Sequence, residues 1–228
     1  MLRLSTCSLA LLAFALVSLN ARAQGLCTPQ FNHAGAELPL SNVSASVIFD
    51  DGSGPARFAA TWTTQYVGGL PVGSTLWKRV GSQWIPVPGA PSSPAISKMV
   101  VFDDGAGAAL FVACGGNVSR WNGTTWQTTM VGLYVSDAIH TLAVADLGSG
   151  PKLYAGGRFF NGSVYSAGAA RWSGTNWITL GAFIGAAFTD IYSLAGYDDG
   201  SGPALYAGGN FATVSGQTSR GIARWDGV

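Results

Sequence analysis

The chain has 228 residues, of which 48% are hydrophobic, 10% are charged and 32 are Gly. High hydrophobicity with so little charge excludes a disordered chain, and the glycines keep no every-third-residue register, which excludes collagen. The formal net charge is +1 and no basic run exceeds Lys78-Arg79, so the electrostatic footprint of a nucleic-acid binder is missing.

Residues 1–23 read as a signal peptide. Arg3 supplies the positive start, Leu9 to Val17 the apolar stretch, and Ala21-Arg22-Ala23 the small residues of a cleavage site. The apolar run falls short of the roughly 20 residues a membrane span needs. The expected product is a periplasmic or extracellular protein of residues 24–228, with no membrane span after cleavage. Cys7 leaves with the signal. Cys27 and Cys114 remain, either as a disulfide in an oxidising compartment or with Cys114 packed as a small hydrophobe.

Internal repetition dominates the rest. An acidic glycine turn occurs four times, at Asp50-Asp51-Gly52, Asp103-Asp104-Gly105, Asp146-Leu147-Gly148 and Asp198-Asp199-Gly200. Aromatics follow at Phe58, Phe111, Tyr154 and Tyr206, with Gly pairs at Gly115-Gly116, Gly156-Gly157 and Gly208-Gly209. Each unit then reaches a Trp, at Leu76-Trp77, Arg120-Trp121, Arg171-Trp172 and Arg224-Trp225, and three close on a second Trp, at Trp84, Trp126 and Trp177. The units run over about 43–86, 96–129, 139–181 and 191–228. The second is shortened between its aromatic and its Trp, where a hairpin loop has been lost. Asp-Gly, Asn122-Gly123 and Ser173-Gly174 are hairpin signals. Four short antiparallel strands per unit predict an all-β fold, a β-propeller of four repeats. It is expected either as a small closed ring or as a fragment of a larger propeller. The last unit stops before its fourth strand, and residues 27–40, with Phe31 in the slot of the closing aromatic, are expected to complete it.

The pattern Leu205-Tyr206-Ala207-Gly208-Gly209, a variable hairpin, then Arg224-Trp225-Asp226-Gly227 resembles the kelch repeat. It is still more similar to a propeller repeat of exported bacterial proteins. The similarity spans residues 43–228 and is weakest in the first unit, where Ala60-Thr61 stand in place of the Gly pair. The resemblance implies a propeller used by binding proteins and enzymes alike. Kelch-like propellers include a copper oxidase; with His33 and His140 as the only histidines and no Tyr-Cys constellation beside them, that chemistry does not carry over.

Two sets of candidate site residues follow. Asp50, Asp51, Asp103, Asp104, Asp198 and Asp199 offer oxygens for Ca²⁺. Their adjacent spacing, with Glu37 as the only Glu, favours instead a structural turn in which Asp bonds its own backbone. Arg120, Arg171 and Arg224 are either a row of guanidinium groups holding an anionic ligand or a repeated ion pair to Asp50, Asp103, Asp146 or Asp198, with stacking on Trp. Recurrence in every unit favours the ion pair. No cofactor is expected, catalytic residues are not identifiable, and neither His has a Ser or Asp partner in the sequence. The expected function is therefore an exported, non-enzymatic binding module for a polysaccharide or another surface protein. The alternative is an extracytoplasmic hydrolase or lyase on the same scaffold.

Overall fold

The computed structural model describes residues 42–62, 66–67, 70–71, 73–92, 95–130, 138–160, 165–181, 183–184 and 189–227. The segments expected as signal peptide and closing strand lie outside these residues, as do Cys27, His33 and Phe31.

All regular structure in the described residues is β. The first sheet contains β1 (Asn42–Asp50) and β2 (Pro55–Trp62), then, after the small hairpin of β3 (Tyr66–Val67) and β4 (Leu70–Pro71), β5 (Ser74–Val80) and β6 (Gln83–Pro86), in the order β1-β2-β5-β6. The second comprises β7 (Ile96–Asp103), β8 (Ala108–Cys114), β9 (Asn117–Trp121) and β10 (Trp126–Met130) in sequence order. The third is β11 (Ala138–Asp146), β12 (Pro151–Phe160), β13 (Tyr165–Trp172) and β14 (Trp177–Leu180). β15 (Phe183–Ile184) leads to the fourth sheet, whose strands are β16 (Ile191–Asp198), β17 (Pro203–Gly209) and, after β18 (Thr213–Val214) and β19 (Gln217–Thr218), β20 (Ile222–Trp225). Every pairing is antiparallel. Among the described residues the fourth sheet has three strands, and the segment expected to supply its fourth lies outside them; β15 joins β18 and β19 in a separate small sheet.

The sheets stack in chain order, their first strands β1, β7, β11 and β16 lying against one another in succession. Each gap is filled by its own apolar core. Phe49, Phe58, Leu76, Met99 and Leu110 fill the first. Phe111, Leu142, Leu153 and Trp172 fill the second, and Tyr154, Leu194, Leu205 and Phe211 the third. Strand period explains the sequences: in β8, Leu110, Val112 and Cys114 face one core while Ala109, Phe111 and Ala113 face the next. A strand covered on both faces reads as a continuous apolar run. Among the described residues, no packing of the fourth sheet against the first closes a ring.

Register corrects two repeat assignments. Gly156-Gly157 and Gly208-Gly209 align with Ala113-Cys114, not with Gly115-Gly116, which form the two-residue turn between β8 and β9. In the first unit Lys78 and Arg79 occupy the Arg-Trp positions: Lys78 lies opposite Phe58 as Arg120 lies opposite Phe111, and Arg79 opposite Trp84 as Trp121 opposite Trp126. Trp77 sits instead opposite Ala59, its indole N–H donating to Thr61 Oγ1 at 2.8 Å.

Cys114 is buried in the core between the first and second sheets, and burial pushes its thiol up to about 11. It should therefore resist iodoacetamide at pH 8 until the protein is unfolded. Alkylation of denatured, unreduced protein reads out whether Cys27 is joined to it; rapid alkylation of the folded chain would contradict this burial.

Candidate functional site

The acidic turns are one device built four times. Oδ1 of the first Asp accepts two backbone N–H groups, from Gly52 and Gly54 at Asp50 (both 2.9 Å), and from Gly105 and Gly107 at Asp103 (2.8 and 3.1 Å). Gly148 and Gly150 donate likewise to Asp146 (2.8 and 3.0 Å), and Gly200 and Gly202 to Asp198 (2.8 and 3.1 Å). The glycines have φ near +95°, which a side chain tolerates poorly.

The second Asp serves the basic residue of the third strand. Lys78 Nζ lies 2.6 Å from Asp51 Oδ2, and Arg120 pairs with Asp104 through both Nε and Nη2 at 3.1 Å. The ion pair thus runs to the second Asp of the turn, not to the first as the sequence suggested, because the first is spent on the backbone. The cation lies over Phe58 or Phe111, 5.8 and 5.9 Å from the ring centre, rather than over Trp. In the fourth sheet Tyr206 donates to Asp199 Oδ2 at 2.6 Å, while Arg224 donates to the Gly202 carbonyl and lies 3.7 Å from Asp226. The six candidate aspartates thus either cap their own turn or accept from a side chain of the same sheet, and no group of three or more His, Cys, Asp or Glu is placed to hold a metal among the described residues. Chelation should leave Tm unchanged; a fall of several degrees in EDTA, restored by Ca²⁺, would show these turns to be metal loops.

These hydrogen bonds also set an acid limit. Burial raises the Asp51 carboxyl, but bonds from Lys78 and Ser53 outweigh it and hold it below the usual range. Asp199 is held low by the Ser201 hydroxyl, then by Tyr206 and the Ser201 N–H. A carboxyl lowered in the folded state contributes stability above its unfolded pKa of about 3.9, lost as pH falls through the folded value. The urea midpoint should fall below about pH 4, and less so in a D51N/D199N variant.

At the opposite end of the sheets the repetition breaks. Each first strand carries a one-residue bulge opposite the second strand, and the extra residues are Ser44, Ser97, His140 and Tyr192. Ser44 and Ser97 donate to backbone carbonyls, Ser97 to Ile139 O at 2.6 Å. His140 Nε2 lies 2.7 Å from Asp190 Oδ1, which also lies 3.4 Å from Arg158 Nε. Asp190 is clamped beside β16 by Asn210, whose Oδ1 accepts the Asp190 N–H and whose own N–H donates to the Asp190 carbonyl at 3.1 Å. The Tyr192 ring, 55% exposed, lies 5.6 Å from the His140 ring.

This cluster joins the third and fourth sheets, and sequence reasoning missed it because His140 and Asp190 are 50 residues apart. One signal was available: with the turns set aside, Glu37, Asp137, Asp190 and Asp226 are the only acids left. The carboxylate fixes the imidazole's orientation, as it does in a catalytic triad. Among the described residues no hydrogen bond joins His140 to a Ser, Thr or Cys side chain. What the arrangement offers is an exposed aromatic face beside three held polar groups. No protein-family model matches the chain, and no curated protein matches it either.

Proposed function

We propose that the protein is an exported β-propeller that binds a macromolecule, a polysaccharide first and a surface protein second, at the bulge end of its sheets without turning it over. The observation carrying this reading is the bulge row. One backbone position holds Ser, Ser, His and Tyr in a scaffold whose turns otherwise repeat. A scaffold role repeats from sheet to sheet, whereas recognition of one ligand needs different groups at equivalent places. Tyr192 supplies a flat apolar face, and His140, Arg158 and Asp190 supply donors and acceptors around it, the composition of an orienting site.

The propeller reading draws support from the outer faces of the array. An aromatic pair recurs in the first, second and fourth sheets, Phe49–Phe58 at 5.8 Å, Phe102–Phe111 at 5.9 Å and Tyr197–Tyr206 at 6.2 Å. The first two pairs pack on the next sheet, while Tyr197 is 64% exposed. On the far side of the first sheet Ile48 is 65% exposed and lies opposite Arg57, where the other sheets carry Leu110, Leu153 and Leu205. Faces shaped for a neighbour at both ends fit a ring completed across them.

The hydrolase or lyase alternative rests on the His140–Asp190 contact. A glycan and envelope-protein binding screen, with assay of the bound glycans for cleavage, separates the readings. Retention without cleavage is expected; released fragments favour the enzyme, and no retention of any glycan or protein sinks the binding module.

A further inference from the structure

The basic residue opposite the turn-proximal aromatic has an internal partner in the first and second sheets, Asp51 for Lys78 and Asp104 for Arg120. In the fourth, Arg224 donates to the Gly202 carbonyl and lies near Asp226. The third sheet departs from this rule. Leu147 replaces the second Asp of the turn, and its side chain packs into the core against Gly227. Arg171, opposite Tyr154 in the equivalent register, makes no hydrogen bond or ion pair among the described residues. Neither does Lys152 on the neighbouring strand.

Both half-buried cations line one cleft of about 420 Å³ between the second and third sheets, whose far wall is Asp103, Asp104 and Gly105. Those acids are engaged already: Asp103 Oδ1 holds two turn N–H groups, and both Asp104 oxygens hold Arg120. The cleft is of a size that takes small ligands. It combines a planar guanidinium, suited to two-pronged contact with an oxyanion, and a mobile ammonium point charge.

We propose that Arg171 and Lys152 form a binding site for the oxyanion of an acidic saccharide, a carboxylate or a sulfate, held in this cleft where the missing turn aspartate would otherwise neutralise Arg171. The identity of the ligand as a saccharide rests on the polysaccharide reading above; the anion site does not. It lies at the turn end of the sheets, away from the bulge row, so a long polymer would meet two separate features of the surface.

The test is titration of the full chain with sodium glucuronate, and with glucose at matched ionic strength, following the Arg171 Nε–H resonance by NMR. Glucuronate should shift it saturably and glucose should not. Arg171→Gln should weaken glucuronate binding at least tenfold, read on the amide resonances lining the cleft. Leu147→Asp, which supplies the internal counter-ion used in the first two sheets, should do the same; if either variant fails to fold, the other and Lys152→Gln decide. Equal responses to glucose and glucuronate, or wild-type affinity in the folded variants, would overturn the site. Polygalacturonate, dextran sulfate and neutral dextran form the second arm. Saturable glucuronate binding without retention of any polymer upholds the anion site and sinks the polysaccharide reading. Polymer retention unchanged in the variants does the reverse.

Discussion

Gly157→Ala is expected to cost more than about 3 kcal/mol, a large fraction of the roughly 5–15 kcal/mol that holds a folded domain together. A Cβ at this position would stand 1.9 Å from the Ala138 carbonyl oxygen and 2.9 Å from Ile139 Cα, both backbone atoms that no side-chain rotation relieves. Ala138 lies two residues before the bulged His140, on the strand paired with Gly157, so the clash falls beside the bulge. A Cβ at Gly209 would likewise stand 2.0 Å from the Asp190 carbonyl oxygen, two residues before the bulged Tyr192. Gly105→Ala is the control. Its φ of +97° strains an alanine, but nothing lies within 4 Å, so about 1–2 kcal/mol is expected. Urea midpoints of the two variants give the comparison. If Gly157→Ala were as mild as Gly105→Ala, the bulge would not be the rigid feature on which the His140 site depends.

The second large effect separates two glycines that share one turn. Gly123 and Gly174 both follow the third strand, with φ of +102° and +100°. Around Gly174 a Cβ meets nothing within 4 Å, whereas at Gly123 it would stand 2.3 Å from the Asp51 carbonyl of the neighbouring sheet. Backbone strain is common to both, so the excess cost of Gly123→Ala over Gly174→Ala isolates the contact between the first and second sheets. Gly174→Ala should lose about 1–2 kcal/mol and Gly123→Ala at least about 2 kcal/mol more. Equal losses would mean that these two sheets do not meet through Asp51 and Gly123.

The four acidic turns, the strand after each and the closing Trp are legible in the residues because they are local. An Asp that caps its own turn has its partners two and four residues away, and a hairpin keeps its signal within a few positions. Assignments that needed register were less visible. Lys78-Arg79 replaces Arg-Trp in the first unit, and Trp77, two residues earlier on the same face, offered a false match. Gly115-Gly116 looked like the Gly pair of the other units, yet strand pairing puts Ala113-Cys114 there, because the shortened hairpin needs its own glycines to turn. The choice between first and second Asp as the counter-ion depends on which carboxylate the backbone has already claimed, a matter of three-dimensional competition. His140, Asp190 and Tyr192 lay outside every repeated motif, as residues that break a repeat must.

The central claim is that the bulge end recognises a ligand without consuming it. Its most direct measurement is retention of a polysaccharide panel by the wild-type chain and by Tyr192→Ala, with released reducing ends quantified in the same samples. Tyr192 is exposed and at the surface of its sheet, so its truncation should leave the urea midpoint within about 0.5 kcal/mol of wild type. Retention of at least one polymer, lost at least tenfold in Tyr192→Ala and with no reducing ends released, is the predicted result. Undiminished retention by the variant, or accumulation of reducing ends with the wild type, would contradict it.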